Sequence, residues 1–440
     1  MKTNKPKLLL ISYYWPPSGG AGVQRWLKFS KYLSHLGWDI TVYCPENPEY
    51  PSIDHSLEKD LHPSIKTLKT TIWEPYSWYK RFTGSKKGEN VNAGFLSESE
   101  KPKKMELLSR WIRGNFFIPD ARKFWIKPSI KFLSSELAKT PVDAIVSTGP
   151  PHSMHLIAKG VADATNTPWL ADFRDPWTNI DFYEDLMLTK SADKKHHRLE
   201  KLVCDSADAL LVIGQTMKKE FEIISPKSRI YVVPNGYDPS DQLNTQNVEL
   251  DSKFSIAHIG SFSPSRNVPV LWNVLAELCE EDPLFKEKLI IKLVGKVDHQ
   301  VLTSIAKVGL ENKIEKIPYL QHEEVIAVQK ASQLLLLVAN NTKNAKGILT
   351  GKVFEYLAAD RPILTIGPED GDLAHLLKKV NAAGAIDYEN KSAMKTSVRK
   401  FFQLYQQKAL HAEHENISSF SREKMSQQID LILNELISAK

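Results

Sequence analysis

The residues with the most chemistry in this chain lie in GKVFEYLAADRPIL, residues 351–364, where Gly351, Lys352 and Glu355 fall on one turn at the opening of a short apolar helix. Backbone amides and an ammonium at such a helix start suit a phosphate, and one fixed carboxylate suits a neutral sugar hydroxyl. Thr350 precedes the glycine, and Arg361-Pro362 leads into an apolar strand at 363–366. A glutamate in a first helical turn also has a purely structural reading, because the helix dipole alone favours it by about 0.3–1 kcal/mol.

Further clusters sit at the ends of other apolar runs. PPSGGAGVQR, residues 16–25, brings Gly20 and Gly22 to the start of a helix, either as a close approach to a phosphate or as a tight strand-to-helix turn. A dinucleotide fingerprint is disfavoured there, since Arg25 stands where the third glycine must be for helix and strand to pack closely. IGSFSPSRN, residues 259–267, offers Ser261 and Arg266, the arginine either countering a diphosphate or lying solvated in its loop. Lys296 in LVGKVD, residues 293–298, is placed to meet a nucleobase or ribose. In WLADFRDPW, residues 169–177, Arg174 and Asp175 are adjacent and of opposite charge, with Trp177 beside them. His152 in STGPPHS is a lone histidine of the kind that caps a helix or lines a wall. Asp370-Gly371-Asp372 is the one acidic triplet resembling a metal site, and it reads more simply as a helix N-cap, so no metal or cofactor is expected.

The elements that must position these groups alternate. Strands are expected at 7–12, 39–44, 143–148, 169–173, 209–213 and 230–233, with a helix at 22–36 whose Val23, Trp26, Leu27 and Leu33 share a face. A second series follows at 254–259, 289–295, 313–317, 333–338 and 362–366. Strands separated by helices imply parallel α/β sheets, hence two Rossmann-like doubly wound domains with a cleft between them. The expected division is 1–240, 241–418 and a terminal segment 419–440, whose helix carries Met425, Ile429, Leu431, Ile432 and Leu436.

A chain of 440 residues with 42% hydrophobic and 25% charged residues is too long for a single compact core and too apolar for disorder. Three well-separated cysteines, Cys44, Cys204 and Cys279, indicate neither a disulfide framework nor a zinc site and favour a reducing compartment. The apolar run near the amino terminus is only a strand's length, so no signal peptide is expected there, and no segment is long enough to span a bilayer.

Net charge is +6, yet residues 78–132 hold thirteen Lys/Arg against five Asp/Glu, a surplus of eight. Within them, residues 110–132 interleave Trp and Phe with Arg110, Arg113, Arg122 and Lys123, a composition suited to an anionic membrane surface or to a plain solvated helix with one packed aromatic side. No motif for base readout accompanies it, so nucleic acid is not expected.

Taken in order, GGAGVQR, VPNGYD, VGKVD and GKVFEYLAADRPIL resemble the family 4 glycosyltransferases of the GT-B fold, over nearly the whole chain. The resemblance implies a nucleoside diphosphate sugar in the C-terminal domain, an acceptor in the N-terminal domain, and a final helix that crosses back onto the latter. It also implies a retaining, metal-independent transfer. Three positions depart from the family pattern. Of its two glutamates separated by seven residues, Glu355 matches the second, while Gly347 stands in place of the first. Ser261 replaces the arginine of the glycine-rich loop, leaving Arg266 as the loop's later basic residue. Arg174 roughly replaces a histidine, with His152 as its substitute; His152 and Trp177 are then expected on the acceptor side, where Asp175 beside Arg174 either orients the acceptor or closes a buried ion pair.

Breaking a glycosyl phosphate bond builds negative charge on the departing diphosphate, so fixed donors there should supply the main catalytic effect. Arg266 and Lys352 fit that role, and the departing phosphate can itself take the acceptor's proton. The expected protein is a retaining hexosyltransferase of surface polysaccharide or glycolipid synthesis, peripheral at the inner face of the cell membrane. A nucleotide-sugar epimerase of the same fold, and an inactive nucleotide-sugar-binding partner subunit, are the alternatives.

Overall fold

The computed structural model describes residues 5–50, 52–74, 104–245, 248–412 and 414–440. Residues 75–103, which include positions 78–103 of the basic window, lie outside the described residues. Two compact units emerge, one from residues 5–74, 104–235 and 422–440, the other from 236–421.

The first unit is a seven-stranded parallel sheet of β1 (Lys7–Ile11), β2 (Asp39–Pro45), β3 (Lys66–Thr70), β4 (Ala144–Gly149), β5 (Trp169–Phe173), β6 (Ala209–Val212) and β7 (Ile230–Val232), in the order β3-β2-β1-β4-β5-β6-β7. The second has six parallel strands, β8 (Phe254–Ile259), β9 (Leu289–Val294), β10 (Ile314–Ile317), β11 (Leu334–Val338), β12 (Ile363–Ile366) and β13 (Ala385–Ile386), ordered β10-β9-β8-β11-β12-β13. Both sheets follow one winding rule. The first three strands run out to one edge and the fourth returns beside the first, which opens a switch point at the carboxyl ends of β1/β4 and of β8/β11.

Central strands are near-continuous apolar runs because helices cover both faces; all five residues of β11, LLLLV, are buried. Two edge strands escaped the sequence reading for the same physical reason. β3, KTLKT, lies half in solvent and carries two lysines, and β13 is only two residues long. In helix Ala21–His35 the expected apolar face is buried, and two basic residues are buried with it. Arg25 pairs with Asp172 at 2.8 Å and Lys28 with Asp60 at 2.8 Å.

Helix Arg422–Ser438 packs on helix Ala21–His35 within the first unit, and Asp430 accepts from Trp38 Nε1 at 2.7 Å. Its buried face is Met425, Ile429, Ile432, Leu433 and Leu436. Leu431, expected on that face, is 69% exposed, since the helical period places Leu433 inward instead.

Candidate functional site

At the β8/β11 switch point, two loops are tied together before any side chain chemistry begins. Gly260 leaves β8 with φ +94°, a left-handed conformation that favours glycine. A Cβ there would lie 2.9 Å from Lys352 Cε and 3.0 Å from its Nζ, so the absence of a side chain is what lets the lysine lie across the loop. The loop's far side is bonded to the turn after β9, through Phe262 N to Lys296 O at 2.9 Å and Asp298 N to Phe262 O at 3.0 Å.

Arg266 is held on both flanks. Its Nε donates to Asn340 Oδ1 at 2.5 Å and its Nη1 to Ser261 O at 2.8 Å, while the Asn341 amide donates to Ser265 O at 2.6 Å. The arginine therefore bridges the carboxyl ends of β8 and β11. Ser261 contributes that carbonyl and is itself exposed.

Lys352 opens helix Lys352–Ala358, with Gly351 at its cap position. Thr350 Oγ1 accepts from the Lys352 amide at 3.0 Å, and the next two amides donate to Thr350 O and Gly351 O. Those first-turn amides, expected to face a phosphate, are thus satisfied within the turn, which leaves anion recognition to side chains. Among the described residues the Lys352 ammonium has one hydrogen-bond partner, His258 Nε2 at 3.3 Å. Burial holds its pKa well below the usual lysine range, the Arg266 charge lowers it further, and Glu355 opposes both. Glu355, one turn on, receives Gln329 Nε2 at 3.4 Å and is half-buried.

His258 and Asn340 were not singled out from the sequence. The available signal was a histidine near the end of FSIAHI, an otherwise largely apolar central strand. It is buried, stacks on Phe262 with ring centroids 4.0 Å apart, and places Nδ1 3.2 Å from Leu336 O. Burial, then Lys352, then Arg266, keep it neutral by driving its pKa well below the ordinary value.

Lys296 lines a cavity of about 390 Å³ with His299, Lys316 and Tyr319, at the carboxyl ends of β9 and β10. Gly347 lies in the short turn Ala345–Gly347. The acidic triplet is not a side-chain cap: Gly371 holds the cap position without a side-chain bond, and Asp370 pairs with Lys346 at 2.6 Å.

The first unit gathers its candidates differently. Arg174, buried, donates to Gly149 O at 3.2 Å, to Gly22 O at 2.6 Å and to Pro150 O, so its guanidinium clamps the first turn of helix Ala21–His35 to the end of β4. A Cβ at Gly22 would crowd that clamp, lying 3.2 Å from Arg174 Nη1 and 3.1 Å from the Tyr14 ring. Gly20, at φ +87°, turns the chain into the helix. Asp175 is exposed and, among the described residues, makes no hydrogen bond or ion pair, so the expected pair with Arg174 does not close. His152 stacks on Trp177 at 4.5 Å and 2° between planes. Both are buried, and Trp177 Nε1 donates to His196 Nδ1 at 3.0 Å. Burial, with His155 and Arg174 nearby, keeps His152 neutral.

In the basic-aromatic segment, helix Lys104–Phe116 and the turn after it expose Leu108, Trp111, Ile112, Phe116 and Phe124. Arg122 does not join that surface. It is buried, pairs with Glu74 at 3.1 Å and lies 4.2 Å over the Tyr13 ring. Lys123 folds over the rings of Phe117 and Phe124. No described helix is long and apolar enough to cross a membrane.

No family model and no curated protein matches the chain. Among solved structures it is similar to a sucrose-phosphate synthase from Thermosynechococcus elongatus, at 13% identity and TM-score 0.63 over 99% of this chain and 100% of that one. It is also similar to WaaG, a glycosyltransferase involved in lipopolysaccharide biosynthesis, at 14% identity and TM-score 0.58 over 96% and 99%. A third similar structure, trehalose-6-phosphate from E. coli bound with UDP-2-fluoro glucose, has 10% identity and TM-score 0.54 over 98% and 97%. These likenesses show the fold, two doubly wound α/β units of GT-B type.

Proposed function

We propose that this protein is a retaining, metal-independent glycosyltransferase that moves a sugar from a nucleoside diphosphate sugar to a lipid-linked glycan acceptor. The observation that carries the reading is Lys352 lying across Gly260 beside a doubly tethered Arg266, two cations fixed at a switch point where doubly wound sheets bind ligands. Arg266 is held by Asn340 Oδ1 and Ser261 O and Lys352 meets His258 Nε2, so a diphosphate would meet preorganised positive charge. Glu355, whose charge acts on Lys352, would hold a donor-sugar hydroxyl. The cavity beside Lys296 and Tyr319 would take the nucleobase, with Tyr319 available to stack. Similarity to a structure bound with UDP-2-fluoro glucose agrees with such a donor.

Chemically, the Arg266 and Lys352 charges stabilise the departing diphosphate, and the acceptor hydroxyl passes its proton to that leaving group on the same face of the sugar. No protein base is then required. The neutral His152 and the clamped Arg174 of the first unit would shape an acceptor pocket and leave proton transfer to the phosphate. The exposed apolar and basic surface of 107–131 would rest on an anionic membrane that presents the acceptor.

Incubation with a panel of nucleoside diphosphate sugars, with and without a glycolipid acceptor extract, tests the assignment. Nucleoside diphosphate release that requires acceptor supports transfer. Donor consumption without acceptor would make the protein an epimerase, and binding without turnover would make it a partner subunit.

A further inference from the structure

The proposed donor site leaves one group without an assigned task. His258 sits at the penultimate position of β8, on the strand that leads into Gly260, and its ring nitrogens face different partners. Nδ1 lies 3.2 Å from the Leu336 carbonyl of the neighbouring strand β11, and Nε2 lies 3.3 Å from Lys352 Nζ. A carbonyl only accepts and an ammonium only donates, so one arrangement satisfies both contacts: Nδ1 carries the hydrogen and Nε2 presents its lone pair to the lysine. Ser261 O lies 3.5 Å from Nε2 and would be met only by the opposite tautomer, which leaves the closer Leu336 carbonyl without a hydrogen. Stacking on Phe262 fixes the ring plane.

We infer that His258 is a positioning residue for the donor diphosphate, acting through Lys352 by accepting one ammonium hydrogen at Nε2 and aiming the remaining two toward the ligand. The inference rests on Lys352 serving the donor, as proposed above. The charged and titratable groups acting on Lys352 are His258 and Arg266, from β8 and its loop, and Glu355 from its own helix. Only the neutral histidine offers a directional bond. A charged imidazolium in that place would repel the lysine, and burial together with both cations opposes its formation. In this arrangement β11 sets the tautomer of a β8 side chain, which in turn sets the cation of the helix that follows β11.

A double-mutant cycle separates positioning from mere packing. His258→Asn keeps a donor where Nδ1 was and removes the acceptor at Nε2; His258→Gln can place an amide oxygen near the Nε2 position. Dissociation constants of the best binder among UDP, GDP and ADP are measured for the wild type, for both variants, and for the same variants carrying Lys352→Met. The expected result is a loss of about tenfold in His258→Asn, recovery to within about threefold in His258→Gln, and a change below about twofold from either substitution once Lys352 is Met. Equal losses with and without Lys352 would overturn the inference while leaving the donor site standing. Failure of the wild type to bind any nucleoside diphosphate would overturn the donor reading, and the inference with it. A second measurement needs no variant: ¹⁵N NMR of the wild-type histidines should show His258 neutral with Nδ1 protonated from pH 6 to 8, and the opposite tautomer would overturn the inference.

Discussion

Arg25 and Asp172 form a buried ion pair in which Arg25 Nη2 lies 2.8 Å from Asp172 Oδ1, and the carboxylate also accepts from Trp26 Nε1 at 2.7 Å and Thr148 Oγ1 at 2.8 Å. The remaining guanidinium hydrogens reach Val233 O at 2.9 Å and Pro234 O at 2.7 Å. Every polar atom of the pair is thus engaged, which is how the first helix of a doubly wound sheet accommodates a long side chain where a dinucleotide-binding helix needs glycine.

Removing one partner of this pair strands the other charge in the core, which typically costs about 3–5 kcal/mol. Asp172→Ala should therefore lower the chemical denaturation midpoint markedly, while Arg25→Met combined with Asp172→Leu should recover much of the loss. A cost below about 1 kcal/mol for Asp172→Ala would mean that the pair is solvated.

Glu355→Gln removes the charge proposed to hold the donor sugar and keeps the shape of the side chain. Turnover should fall by about a hundredfold or more, with thermal stability close to wild type. Where product accumulates, NMR of its new linkage should show the anomeric configuration of the donor. Wild-type turnover in the variant, or an inverted linkage, would contradict the assignment.

Vesicle sedimentation tests the membrane surface. Binding to anionic vesicles should weaken as salt rises and weaken again in Lys127→Glu with Lys131→Glu, both exposed positions. Trp111→Ala with Phe116→Ala should lower binding to anionic vesicles at every salt concentration. Arg122→Gln should instead lower stability, because that arginine is buried against Glu74. Equal binding to neutral and anionic vesicles would remove the electrostatic part.

Much of the winding was legible because buried parallel strands announce themselves as apolar runs such as KLLLI and LLLLV. β3 and β13 were not, since an edge strand needs neither length nor apolar character. Lys352 and Glu355 could be read from the sequence because they share one helical turn. His258 and Asn340 could not, because they meet the site from the ends of β8 and β11, which become neighbours only when the fourth strand returns beside the first. The sequence left Arg174 and Asp175 open between orienting an acceptor and closing an ion pair, and the contacts Arg174 does make were not legible: its acceptors are carbonyls of Gly22, Gly149 and Pro150, and backbone acceptors leave no mark on residue identity.

The most direct test of the donor site is calorimetric titration with nucleoside diphosphates in excess chelator, comparing wild type with Lys352→Met across pH. Anion binding requires the ammonium form, and the Lys352 pKa in the free protein is depressed, chiefly by burial. Affinity should therefore be strongest on the acid side and fall as pH rises through that depressed value, with proton uptake on binding. The account predicts tight binding by the wild type without metal, a loss of about tenfold or more in Lys352→Met, and a flat pH profile in that variant. Binding that depends on added manganese, or that is unchanged by Lys352→Met, would contradict it.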